Sequence, residues 1–134
     1  NTNFHIENHR VFSRWLVEVA AAENCLIHDL VFLFVSDQEL LAMNKKYLKH
    51  NYFTDVITFG ELEGDKISGN IAISVDRVLD NSKTYDVSFD EELKRVMVHG
   101  LLHIIGYNDK TKKEKLTMSQ KETDALKMFH VKQV

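Results

Sequence analysis

The strongest helix signal in the sequence lies in residues 88–106, and it requires the rest of the chain to cover one side of that helix. Ser88 and Glu91 have the spacing of a capping box, in which two side chains satisfy free amides at a helix start. Gly106 suits the end of the helix because glycine accepts a left-handed backbone. The apolar stripe between them consists of Leu93, Val96, Met97, Gly100, Leu101 and Ile104.

Hydrophobic periodicity elsewhere predicts the layers that bury this stripe. Further helices are predicted over residues 7–24, 37–48, 77–83 and 112–129, and strands over residues 29–35, 55–61 and 66–75. The last two strands flank a turn that contains Gly64, which indicates a β-hairpin. No linker or repeat divides the chain. We therefore expect a single α+β domain over residues 1–134, with a small mixed β-sheet of about four strands packed with about five helices.

Composition narrows the class of protein. With 134 residues, of which 44% are hydrophobic and 28% charged, the chain can bury a core without a disulfide scaffold. Its one cysteine, Cys25, cannot form an internal disulfide, which favours a reducing compartment and a cytoplasmic location. The longest apolar run, Leu30–Val35, is far shorter than the ~20 residues that span a bilayer, so we expect no membrane partner.

The segment 99–109 carries the clearest chemical signal. His99 and His103 are four residues apart on the predicted helix, so their side chains lie on one face and can occupy adjacent corners of a metal site. Gly106 allows the chain to turn back, and Asp109 offers a carboxylate as a third ligand. Three protein ligands and an open position describe a catalytic zinc site. Histidines at this spacing are often ordinary helix residues, and it is Gly106 and Asp109 that favour the metal.

The same spacing occurs in zincin-type peptidases, which have a downstream glycine turn. In those enzymes the residue after the first histidine is a glutamate that acts as the general base, whereas this chain has Gly100. A peptidase active site at this position would therefore lack its proton acceptor.

Three ordered motifs make the sequence resemble the YbeY-type endoribonucleases, which act as rRNA maturation factors in bacteria. The family signature H-G-x-L-H-x-x-G-Y-D-H corresponds to residues 99–109, which read H-G-L-L-H-I-I-G-Y-N-D. The family element T-D-V-L-S-F corresponds to Thr54–Phe59, which follows Asn44 and Tyr47. A third element, G-D-I, corresponds to Gly69–Ile71.

The resemblance implies a zinc-hydrolase-like, metal-dependent single-domain enzyme with one Zn²⁺ ion, or another divalent metal. It implies cleavage of single-stranded RNA in 16S rRNA maturation and ribosome quality control, with rRNA and the ribosomal subunit as partners. By the same resemblance His99 and His103 are catalytic metal ligands, and Asp109 occupies the place of a third histidine. Thr54 and Asp55 are expected to support the site.

Seven lysines lie beside these motifs, although the net charge of the chain is −3. Cations near aromatic rings suit a single strand, since the cations follow phosphates and the rings stack with bases. The family's arginine after the tyrosine is replaced by Leu48, and Lys49 is an imperfect substitute because lysine lacks the bidentate fork. The RNA-binding candidates are Lys45, Lys46, Lys49, Lys110 and Lys112.

The first hypothesis is thus a metal-dependent, single-strand-specific endoribonuclease in which activated water attacks a phosphodiester. The second is an rRNA- or ribosome-binding factor with a structural metal and little catalysis. The third is a zincin-like peptidase, which Gly100 disfavours.

Overall fold

The computed structural model describes the backbone of residues 9–133 and the side chains of residues 9–129. The helices are α1 (His9–Ala22), α2 (Asp37–Met43), α3 (Val75–Thr84), α4 (Phe89–Ile105) and α5 (Lys112–Gln133). The strands are β1 (Leu26–Val35), β2 (Val56–Glu63) and β3 (Lys66–Ser74). Every predicted helix and strand is found at its place. The predicted first two residues of α1, at positions 7 and 8, lie outside the described residues.

The sheet is mixed, as predicted, with the order β1-β3-β2. Strand β1 pairs with β3 in parallel, and β2 pairs with β3 in antiparallel through a two-residue turn at Gly64 and Asp65. Described residues 9–133 form three strands, so the expected number of about four is corrected. The reason is that Ser74 ends β3 and caps α3, with its side chain accepting from the Arg77 amide, and all later elements of the described chain are helices.

One face of the sheet forms the main core. Helix α4 packs against β2 and β3 on one side and against α3 and α5 on the other. Its stripe is buried, with Met97 and Leu101 each at most 1% exposed. Trp15 connects α1 to α5, since its Nε1 donates to the carbonyl oxygen of Ala125 at 2.7 Å. Helix α4 is therefore fixed on several sides, which is what a precise site on its surface requires.

Helix α2 covers part of the other sheet face through Leu40. Its capping box of Ser36 and Glu39 is formed in both directions. The predicted single helix over residues 37–48 changes at Asn44 into a π-helix (Asn44–Leu48) and ends at Lys49, whose φ is +57°. The buried Asn44 amide donates to the carbonyl oxygen of Tyr52 at 2.9 Å, which fixes the loop that leads into β2.

No helix within residues 9–133 combines the length and apolar character needed to cross a bilayer.

Candidate metal centre

His99 and His103 lie one turn apart on the same side of α4, with ring centroids 4.5 Å apart. The helix begins at the predicted cap, where the Ser88 side chain accepts from the Glu91 amide. It ends at Gly106, whose φ of +127° is poorly tolerated by residues with a Cβ. The chain turns back there and brings Asp109 against the two histidines.

Three donor atoms converge at this point. The Nε2 atoms of His99 and His103 are 3.0 Å apart. Oδ2 of Asp109 lies 3.3 Å from Nε2 of His99 and 3.5 Å from Nε2 of His103. A tetrahedral ion with bonds of about 2.0–2.1 Å would place neighbouring ligand atoms about 3.3 Å apart. The donor set therefore has the size of a tetrahedral metal site with its fourth position open.

The outer nitrogens of both imidazoles are already engaged. Nδ1 of His99 donates to Oε2 of Glu122 at 2.6 Å, and Nδ1 of His103 donates to the carbonyl oxygen of Tyr107 at 2.9 Å. A neutral imidazole that donates from Nδ1 has its lone pair on Nε2. Two lone pairs and the carboxylate of Asp109 thus face one another, and a bound cation would satisfy all three. These residues fit a metal ion.

Glu122 dominates the electrostatics of His99. Burial alone lowers the pKa of His99, but the hydrogen bond and the charge of Glu122, followed by the charges of Asp109 and Asp55, outweigh it and raise the pKa. Arg95 orients the carboxylate from the other side, because its Nη1 donates to Oε1 of Glu122 at 3.0 Å. Each carboxylate oxygen of Glu122 therefore has its own donor.

A second polar contact holds the turn that carries Asp109. The Tyr107 hydroxyl donates to Oε1 of Glu23 at 2.6 Å, and the ammonium group of Lys121 contacts Oε2 of Glu23 at 2.8 Å. Glu23 follows α1, and Lys121 is on α5. The turn after α4 is thus attached to two other helices.

The donor cluster opens into a cleft of about 470 Å³ between α3, α4 and α5. Asp55 lines this cleft, and its role in supporting the site stays a prediction. Asn81 holds Asp55 through a contact of 3.4 Å, and burial raises the pKa of Asp55. The Thr54 hydroxyl donates to the carbonyl oxygen of Val56 at 3.4 Å, which is a contact at the start of a strand. The cleft is lined by Asp55, Asn81, Tyr85, Glu92, Arg95, Val96, His99, Asp109, Ser119 and Glu122.

The predicted RNA-binding lysines fall into two groups, and the first group lies beside another cleft. Lys45 and Lys49 line a different cleft of about 450 Å³ beside the π-helix. Lys46 lies next to them, with its ammonium group 5.2 Å from the centre of the Tyr47 ring. Their RNA-binding role stays a prediction.

The second group, Lys110 and Lys112, is exposed and lies just after Asp109. The Lys110 backbone amide donates to Glu114 at 3.1 Å, which fixes the start of α5. Lys110 and Lys112 are close to Asp109 along the chain, whereas Lys45, Lys46 and Lys49 are far from it in sequence.

The sequence reasoning missed Glu122 and Arg95. A signal for Glu122 exists, because Met118 and Leu126 lie four residues to either side of it and are buried. A carboxylate on the buried side of an amphipathic helix needs a partner. The sequence alone did not show that the partner is His99.

Gly100 is buried, and its position explains why this site has no glutamate after the first histidine. A Cβ at residue 100 would lie 2.8 Å from Cγ2 of Ile71 on β3. A side chain there would point into the sheet, away from the donor cluster, so the site cannot supply a peptidase base from this position.

The family comparison and the curated relatives agree on one family. The sequence model of the protein family described as Endoribonuclease YbeY matches residues 2–130 of this chain. Endoribonuclease YbeY of Flavobacterium psychrophilum is 44% identical over 131 residues, which cover 98% of this chain and 94% of the relative. That of Karelsulcia muelleri is 47% identical over 121 residues, which cover 90% of this chain and 86% of the relative. The solution structure of TM1509 from Thermotoga maritima aligns with a TM-score of 0.66 at 25% identity, covering 93% of this chain and 85% of that one.

Proposed function

The chain belongs to the Endoribonuclease YbeY family, and we propose that it is a metal-dependent, single-strand-specific endoribonuclease of 16S rRNA maturation and ribosome quality control. The observation that carries this proposal is the convergence of two imidazole Nε2 atoms and one carboxylate oxygen, with His99 and Asp109 lining an open cleft. We propose that residues 1–134 act as one such domain, in the cytoplasm, with single-stranded rRNA and the ribosomal subunit as partners.

His99, His103 and Asp109 would hold the ion, and we propose Zn²⁺ because a catalytic zinc site has three N or O ligands and an open position. When bound, the ion supplies Lewis-acid polarisation of a phosphate oxygen and lowers the pKa of a water molecule to about 7. Glu122 keeps the His99 ring in the tautomer that presents Nε2, and the Tyr107 carbonyl does the same for His103.

The RNA backbone would approach along the loop from the π-helix to β2. Lys49 and its neighbours lie at one end of this loop, and Asp55 lies at the other end in the cleft. Phe53, two residues before Asp55, is 45% exposed and has the Arg77 guanidinium 5.4 Å from its ring centre. Lysines at one end and an exposed ring near the other suit a strand of phosphates and unstacked bases.

The two alternative functions gain no support from the site. A peptidase would need a base after His99, and that position faces Ile71. A structural zinc would have its four ligands closed, whereas the described donors number three and lie beside a cleft.

The test combines metal analysis of the purified protein with cleavage of a single-stranded RNA. We expect about one equivalent of metal in the wild type, and loss of both metal and cleavage in His103→Ala, because two ligands hold a metal far more weakly than three. His28→Ala is the matched control, since His28 is an exposed histidine on β1.

Stoichiometric metal without RNA cleavage would refute the nuclease proposal. Cleavage that persists unchanged in His103→Ala would refute the role of the donor cluster.

A further inference from the structure

The carboxyl group of Glu92 faces the metal cleft and has no hydrogen-bond partner among the described side chains. Glu92 is 4% exposed as a residue, and among residues 9–129 its carboxyl group forms no hydrogen bond or ion pair. A carboxyl group that faces a cleft without a partner in the protein can accept hydrogen bonds from a bound ligand. Burial, followed by the charge of Asp55, raises the pKa of Glu92 to about 7.

The charges around Glu92 determine what could bind there. Three other carboxylates line the cleft, and the one guanidinium, from Arg95, already donates to Glu122. Away from the metal ligands the cleft therefore repels a phosphate group. A neutral ring that donates hydrogen bonds is the complementary ligand.

The same cleft offers a surface for such a ring. Tyr85 follows α3, lines the same cleft and is 63% exposed. Val96, which is buried, provides an apolar part of the wall. Exposed aromatic rings are the surfaces on which RNA-binding proteins stack unpaired bases.

The spacing along α4 matches the size of one nucleotide. Glu92 lies two helical turns before His99, which at 1.5 Å per residue is about 10 Å. A phosphate at the metal site would thus place its own or the adjacent base near Glu92.

We propose that this cleft binds the guanine base next to the scissile phosphate, stacked on Tyr85 and recognised by the carboxylate of Glu92. Guanine presents two adjacent donors, N1–H and the N2 amino group, and one carboxylate can accept from both. Uracil, cytosine and adenine lack this pair of donors on their pairing edges. The proposal rests on the proposed RNA cleavage and adds a base preference to it.

The test uses an oligouridine RNA that contains one guanosine, and the same RNA with inosine, which lacks only the N2 amino group. We expect the wild type to cut next to guanosine roughly 5- to 100-fold faster than next to inosine, the range of a bidentate base contact. Glu92→Gln should remove this difference, because glutamine has a single acceptor oxygen and its amide nitrogen then faces one of the two base donors. Glu91→Gln, an exposed change of the same charge one residue earlier, should keep it.

Tyr85 is tested by Tyr85→Phe and Tyr85→Leu. The phenylalanine variant should keep the wild-type KM because stacking needs only the ring, while leucine should raise KM for the guanosine RNA. Circular dichroism of each variant identifies any loss of folding.

Equilibrium binding of fluorescently labelled versions of both RNAs, with a chelator present, separates this proposal from the nuclease activity. If wild type cleaves RNA but neither cutting nor binding distinguishes guanosine from inosine, the base site is refuted and the nuclease stands. If wild type cleaves no RNA, the nuclease proposal fails, and the binding ratio alone supports or refutes the base site.

Discussion

Replacing Glu122 by glutamine changes one atom next to the proposed metal ligand. In the wild type, Oε2 accepts from Nδ1 of His99 and Oε1 accepts from Arg95. Glutamine has one acceptor oxygen for these two donors. If the oxygen turns to His99, the amide nitrogen opposes the guanidinium. If it turns to Arg95, His99 must change tautomer and lose its Nε2 lone pair.

Either arrangement weakens the metal site by a predictable amount. Mutation of a residue that hydrogen-bonds to a histidine ligand typically lowers metal affinity 10- to 100-fold. At about 1.4 kcal/mol for each factor of ten, the expected loss of binding free energy is about 1.4 to 2.8 kcal/mol. Cleavage should recover in part when the metal concentration is raised, because the three ligands are unchanged.

The measurement is a competition titration of Zn²⁺ against a chromophoric chelator at pH 7.5. Glu91→Gln is the control, because it removes the same charge from an exposed position. An unchanged zinc affinity in Glu122→Gln would show that the carboxylate does not set the tautomer of His99, and our account of the donor cluster would be wrong. An equal loss in Glu91→Gln would attribute the effect to net charge.

Two further predictions follow from the site. Asp109→Ala should lower zinc affinity at least tenfold in the same titration, whereas Asp109→His supplies an imidazole and should keep a three-ligand site. Equal zinc affinity of the wild type and the alanine variant would exclude Asp109 as a ligand. The second prediction concerns Glu92→Gln. The pKa of Glu92 is raised from 4.5 to about 7 in the folded protein, so the wild type loses stability as pH rises from about 4.5 to about 7. The variant should therefore become more stable than the wild type over that window, and the difference should stay constant above it. The full shift corresponds to about 3 kcal/mol, and solvent screening in the open cleft reduces it to about 1 to 2 kcal/mol. Urea unfolding at pH 4.5 and pH 8, with a chelator present, measures it, and a pH-independent difference would contradict the raised pKa. The charged or titratable groups around this carboxyl are Asp55, Tyr85, Glu91, Arg95, His99, Asp109 and Glu122.

Local elements of the fold were predictable from short-range patterns. Ser36 and Glu39 cap α2, Ser88 caps α4 and Gly106 ends it, because each contact involves residues within one turn. The π-helix at Asn44 was not predicted. The Asn44 side chain is buried and donates to the carbonyl oxygen of Tyr52, eight residues later, so the helix backbone adjusts to a contact outside the helix.

The sequence by itself determined which side chains could hold a metal. The four-residue spacing of His99 and His103 fixes their relation on any helix, and Gly106 allows the return of Asp109. Only the tertiary structure decided their environment. Glu122 reaches His99 because α5 packs against α4. Asp55, just before β2, lines the same cleft, whereas Lys45 and Lys49 line another. These contacts depend on how separate helices and strands pack against one another, and the hydrophobic periodicity of the sequence does not specify that packing.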